Sequence, residues 1–202
     1  MTDYENSVAS IDNDNDTKEK SSFALEAFDY ISIILFAICL VIVVFSFFAR
    51  LCVVDGPSME NTLYHSEKLI VSNVAYTPKA GDIVVFHETG SYYNEPIVKR
   101  VIAVAGETVH IEYFQDGMIV TVTDVNGVSR VLNEPYAKIV DANLYYEPMT
   151  VEVEEGTVFV LGDNRNHSSD SRSDRIGLVD TRRIIGKVIF RISPISRMGA
   201  VK

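Results

Sequence analysis

The distribution of apolar and polar residues changes twice along the chain. Residues 1–22 are dominated by Asp, Asn, Ser, Glu and Lys, with apolar side chains too sparse to offset the entropy of ordering, so they read as a disordered tail. From Tyr30 to Ala49 there is no charged residue, and Ile, Leu, Val and Phe predominate. An apolar run of about 20 residues matches a hydrocarbon core about 30 Å thick, which predicts a membrane anchor over 23–50 with a transmembrane helix at about 30–49. A cleaved leader would need small residues at alternate positions after its apolar run, but Phe47 stands two places before Ala49, so the helix is expected to remain. Lys18 and Lys20 precede the run and Arg50 follows it, a bias that slightly favours a cytoplasmic N-terminus.

Beyond Arg50 the pattern becomes short β-branched and aromatic runs punctuated by Gly, Pro and Asn. These are Lys68–Val74, Asp82–Phe86, Ile97–Val104, Thr108–Tyr113, Met118–Val125, Thr157–Leu161 and Ile184–Ile192. Bounded by turn signals such as Ala105-Gly106 and Asn126-Gly127, they predict a mainly β, antiparallel domain over 51–202. No internal repeat, heptad pattern or low-complexity linker interrupts it.

Composition narrows the field further. A chain of 202 residues holds one domain of ordinary size plus an appendage. A formal net charge of −10 and the lack of any Lys/Arg stripe argue against nucleic acid as a partner, and the acidity reads as solvated surface. Cys39 lies within the apolar run and Cys52 just after it, so no disulfide is expected between them. The histidines, His65, His87, His110 and His167, are too dispersed to suggest a metal site.

Three segments could carry chemistry. In Gly56-Pro57-Ser58-Met59-Glu60-Asn61-Thr62-Leu63, the Gly-Pro bend would expose Ser58 and aim its N–H at a developing oxyanion, although a Ser after Gly-Pro is more often a plain turn residue. In Ile97-Val98-Lys99-Arg100-Val101-Ile102, alternation puts Lys99 on one strand face with Ile97 and Val101, and Arg100 on the other with Val98 and Ile102. Burial can bring a lysine toward neutrality but not a guanidinium, so Lys99 is the candidate base; the plain alternative is that both cations snorkel or pair with carboxylates. The third segment, Gly162-Asp163-Asn164-Arg165-Asn166-His167-Ser168-Ser169-Asp170-Ser171-Arg172, has no hydrocarbon side chain to bury and reads as a hydrogen-bonding loop. Asp170 and Arg172 could pair there, Ser168 could hold a lysine amine, and His167 is open as the base of a Ser-His-Asp triad.

In order, these segments resemble the conserved boxes of bacterial type I signal peptidases. The family reads Ser-Met-x-Pro-Thr-Leu, Gly-Asp-Ile-Val, Lys-Arg-Val and Gly-Asp-Asn-Arg-x-x-Ser-x-Asp-Ser-Arg. The chain has Ser58-Met59-Glu60-Asn61-Thr62-Leu63, Gly81-Asp82-Ile83-Val84, Lys99-Arg100-Val101 and the whole last motif from Gly162 to Arg172. The resemblance spans nearly all of 51–202. It implies the signal peptidase β-sheet fold behind one transmembrane helix, and a membrane-bound serine endopeptidase that removes N-terminal signal peptides after a small-x-small site. Ser58 matches the nucleophile, Lys99 the general base, and Ser168 the residue that orients the lysine; Asp170 and Arg172 match the supporting pair, with Gly162 and Asp163 beside them. Positions matching the substrate pockets are Val54, Met59, Leu63, Ile97 and Val98.

The implied chemistry needs no metal or cofactor, and it should fade as pH drops through the lowered pKa of Lys99. The implied partners are preprotein signal peptides bound as an added strand, the lipid bilayer and the secretion machinery. The implied place is the cell membrane, single-pass, with a cytoplasmic N-terminus and an extracytoplasmic catalytic domain whose Ser58 lies about nine residues beyond the span. Two departures stand out: Asn61 replaces the usual Pro and is expected to loosen the turn, and Gly56 stands where Gram-negative members carry an oxyanion-hole Ser, as in the Gram-positive branch. Competing readings are a self-cleaving repressor protease, which would want a helix-turn-helix in place of the span, a peptide-binding module without catalysis, and an enzyme dedicated to one substrate such as pilin.

Overall fold

The β-branched runs after Arg50 form twelve strands among the described residues, which in this computed structural model are 26, 28–43, 46, 49–88, 95–114, 117–137 and 147–201. They are β1 (Arg50–Val53), β2 (Lys68–Ser72), β3 (Ile83–Phe86), β4 (Ile97–Val104), β5 (Thr108–Phe114), β6 (Gly117–Thr123), β7 (Ser129–Val131), β8 (Met149–Glu152), β9 (Thr157–Leu161), β10 (Val179–Asp180), β11 (Ile184–Ser193) and β12 (Gly199–Ala200). One sheet runs β1-β2-β11-β3-β4-β9-β10 with β12 added to β11, and the other runs β7-β6-β5-β8. Neighbouring strands pair antiparallel throughout. The mainly β, antiparallel expectation therefore holds, and β4 and β9 begin and end where the sequence pattern places them. The foreseen turns carry glycines in the left-handed region, Gly106 at φ +84° and Gly127 at φ +79°.

The core explains why β3 and β9 read as apolar runs and why β4 is apolar except at Lys99 and Arg100. All of β3 is buried, because both faces of the larger sheet are covered along that strand. Ile83 and Val85 point into a cluster with Val54, Met59, Leu63 and Val98. Val84 and Phe86, one residue out of phase, join Val101, Val158 and Val160 on the opposite face. A third cluster, with Ile102, Phe159 and Leu161 from β4 and β9 and Val109, Ile111 and Val120 from β5 and β6, joins the two sheets.

The strands that the pattern did not predict are β1, β7, β8, β10 and β12. β1 follows directly on the apolar run and is hidden by it in sequence, β7 and β8 are short strands at sheet edges, and β10 and β12 have two residues each. In the N-terminal unit, Met1–Phe47, residues 28–43 form an unbroken helix whose Leu35, Phe36, Ile38 and Ile42 are exposed. Among the described residues no helix is long and apolar enough to cross a membrane. The predicted span at 30–49 includes positions 44, 45, 47 and 48, which lie outside the described residues, as does the whole tail 1–22.

Phe86 is fully buried at the end of β3, opposite Ile97. Phe86→Ala is expected to lower unfolding stability by about 3–5 kcal/mol, measured by denaturant titration of the full chain in detergent beside the wild type.

Candidate active site

The segment after β1 bends at Gly56, whose φ of +82° suits glycine and whose N–H donates to His65 Nδ1 at 3.3 Å. From Pro57 the chain winds into a turn in which Glu60 N donates to Pro57 O at 3.0 Å, and Thr62 N and Leu63 N donate to Met59 O at 3.0 and 2.8 Å. Met59 and Leu63 are buried and anchor that turn in the core, while Ser58 stays half-buried at its crest. Asn61 takes φ +82°, a conformation that proline cannot adopt but asparagine tolerates, and its Nδ2 donates to Tyr136 O at 3.3 Å. Where proline was expected, the asparagine side chain thus ties the turn to Tyr136 O.

Lys99 comes from the middle of β4 and is 3% exposed. Its Nζ lies 2.8 Å from Ser58 Oγ and 2.9 Å from Val98 O. Burial pushes the amine down from its ordinary value to about 8, against the pull of the Asp170 and Asp163 carboxylates and with help from the Arg172 charge. The neighbouring Arg100 took the other course open to a buried cation. Its Nε and Nη2 form a fork on the Asp163 carboxylate at 2.9 and 2.8 Å, Nη1 donates to Gly81 O, and the guanidinium lies 3.9 Å from the Tyr136 ring centroid.

The loop from Gly162 to Arg172 closes round this pair. Asp170 and Arg172 are joined by Nε–Oδ1 and Nη2–Oδ2 bonds of 2.8 and 2.9 Å, and Gly162 N also donates to Asp170 Oδ2. Burial alone would raise the Asp170 carboxyl, but the Arg172 bonds and charge and the Gly162 N–H hold it below the usual carboxylate range. Arg172 Nη2 further donates to Arg165 O, and Arg165 forks onto Glu134 at 2.7 and 2.6 Å. Asp163 accepts from Thr62 Oγ1, and Asn164 donates to the turn itself, from N to Ser58 O and from Nδ2 to Pro57 O. Ser168 packs against Gly162, whereas the hydrogen bonds described for Lys99 go to Ser58 and Val98. His167 is exposed and makes no described contact with Ser58.

Beside Ser58 a cleft of about 460 Å³ opens between the segments Val53–Asp55 and Glu95–Val98. Val54, Met59, Ile97 and Val98 line it, whereas Leu63 is wholly buried in the core and does not. Glu134, Tyr136 and the donor role of Asn164 escaped sequence reasoning. Glu134 and Tyr136 lie in a stretch of weak pattern and reach the site only through the fold, and Asn164 is one polar residue among many in its motif.

The family model described as signal peptidase, peptidase S26, matches residues 27–193. The chain is 34% identical over 181 residues to the probable signal peptidase I-1 of Synechocystis sp., covering 84% of each. It is 33% identical over 186 residues to signal peptidase I of Bacillus licheniformis, covering 90% of this chain and 97% of the other. Signal peptidase IB of Staphylococcus aureus matches at 33% over 192 residues, covering 85% and 92% respectively.

A Cβ on Gly162 would fall 2.1 Å from Ser168 Oγ and 2.5 Å from Ser58 O, too close for either to stay in place. Gly162→Ala is expected to fold yet lose about 100-fold in kcat/KM, the scale of loss that an ångström of misplacement can bring, read by peptide cleavage alongside circular dichroism.

Proposed function

The chain belongs to the signal peptidase family, peptidase S26, as a serine endopeptidase that removes signal peptides from preproteins, and we propose that Ser58 is its nucleophile and Lys99 its general base. The observation that carries this assignment is the 2.8 Å contact between Lys99 Nζ and Ser58 Oγ at an amine that burial brings down to about 8. Neutral Lys99 takes the Ser58 proton as Oγ attacks the scissile carbonyl, and the Ser58 N–H receives the oxyanion. The resulting lysinium gives its proton to the leaving amine, which departs and leaves an acyl-enzyme on Ser58. Lys99, neutral again, deprotonates the water that releases the acyl group. Ser168 helps to orient the amine, and the Asp170–Arg172 and Asp163–Arg100 pairs hold the loop and β4 in register around it.

The substrate lies extended in the cleft, with small side chains before the cut against Val54, Met59, Ile97 and Val98. Support comes from the sheet register: Ile97 to Lys99 pair with β3, while pairing with β9 begins only at Arg100. That leaves one edge of the stretch open to an added strand. The uncharged run Tyr30–Ala49 is a single membrane span, supported by the exposed apolar side chains of its described helix. It places the N-terminus in the cytoplasm and Ser58, about nine residues beyond the span, on the outer face, where the secretion machinery delivers preproteins.

Intact enzyme in detergent is expected to release the mature N-terminus of a preprotein after a small-x-small site. Ser58→Ala and Lys99→Ala, both folded by circular dichroism, should lose at least about 1,000-fold in kcat/KM, as removal of a nucleophile or its base does. Cleavage surviving in Lys99→Ala would remove the lysine from the role of base.

A further inference from the structure

Asn164 is wholly buried in the loop after β9 and holds the nucleophile turn at two points. Its main-chain N–H donates to Ser58 O at 3.0 Å and its Nδ2 to Pro57 O at 3.1 Å, while its Oδ1 is buried with no hydrogen-bond partner. Buried amides normally satisfy both ends, because an orphaned acceptor costs stability. Here the side chain is committed to Pro57 O at the expense of its own oxygen.

Pro57 O and Ser58 N belong to the same planar peptide unit, and that peptide is trans, so the N–H points away from the C=O. Holding the oxygen on one side therefore sets the direction of the Ser58 N–H on the other. Both lone pairs of Pro57 O are engaged, one by Asn164 Nδ2 and one by Glu60 N at 3.0 Å, which leaves the plane little freedom to rotate. Among the described residues no backbone acceptor takes the Ser58 N–H, so it is free for a reacting oxygen.

We propose that Asn164 is a positioning residue for the oxyanion hole: its Nδ2 locks the Pro57–Ser58 peptide so that the Ser58 N–H meets the oxyanion as it forms. It acts through that peptide and touches neither substrate nor Lys99. The proposal rests on Ser58 being the nucleophile.

The test uses the full chain in detergent with Asn164→Ala and Asn164→Asp, the second keeping the size of the side chain while replacing the donor with an acceptor. A peptide aldehyde, which adds Ser58 Oγ and places an oxyanion in the hole, is compared with the same peptide reduced to its alcohol. Both variants should lose about tenfold or more in kcat, as misdirected oxyanion donors do, with KM within about twofold and the acid limb of the pH profile in place. Affinity for the aldehyde should fall in step with kcat while that for the alcohol stays; this ratio does not depend on how much of a preparation is folded. A kcat near that of the wild type, a rise in KM alone, or parallel loss of both ligands would overturn the role of Asn164. Ser58→Ala run beside them separates the two levels: cleavage by Ser58→Ala defeats the nucleophile assignment, whereas a dead Ser58→Ala with fully active Asn164 variants defeats only the positioning role.

Discussion

An ammonium group carried on a central strand to 3% exposure loses most of its hydration, and few contacts within a protein replace it. Lys99 is in that position, with one hydroxyl and one carbonyl as its described partners. The free energy of desolvation appears as a lowered pKa, with the Arg172 charge adding to it, so that the group is a usable base near neutral pH. The rest of the site follows from keeping that balance. β4 must be covered on both faces to bury the lysine, and the Ser58 turn must be pinned firmly enough for its hydroxyl to stay within reach of the amine.

Two buried carboxylates work against the lysine, since Asp170 and Asp163 both favour its charged form. Each is matched by its own arginine, Arg172 and Arg100, in forked two-bond geometry. The pairs are close to neutral as units, so the loop can be rigid and polar without holding the lysine fully charged. Buried ion pairs of this kind give little net stability, but removing one partner strands a charge. Their effect here is on geometry: Arg100 ties β4 to the loop and to Gly81, Arg172 ties the loop to itself, and Asn164 ties it to the Ser58 turn.

Much of the scaffold was legible because its central strands are β-branched and bounded by turn residues. β4 and β9, which carry Lys99 and lead into the Gly162 loop, follow the sequence pattern to the residue. Edge strands such as β7 and β8 left no comparable trace, since β7 is exposed throughout, β8 is exposed at alternate positions, and their pairing depends on tertiary context. Side-chain alternation separated Lys99 from Arg100, yet only the fold shows that, among the described residues, no carboxylate pairs with the first while the second takes Asp163. The left-handed φ of Asn61 and its bond to Tyr136 O likewise cannot be read from composition.

The measurement that bears most directly on the buried lysine is the pH dependence of kcat/KM for the full-length enzyme on a peptide without titrating groups. With Lys99 as the base, the rate should rise tenfold per pH unit through the acid range and level off above an apparent pKa near 8, because only the neutral amine can accept the Ser58 proton. A profile that stays flat down to pH 6 would contradict the account.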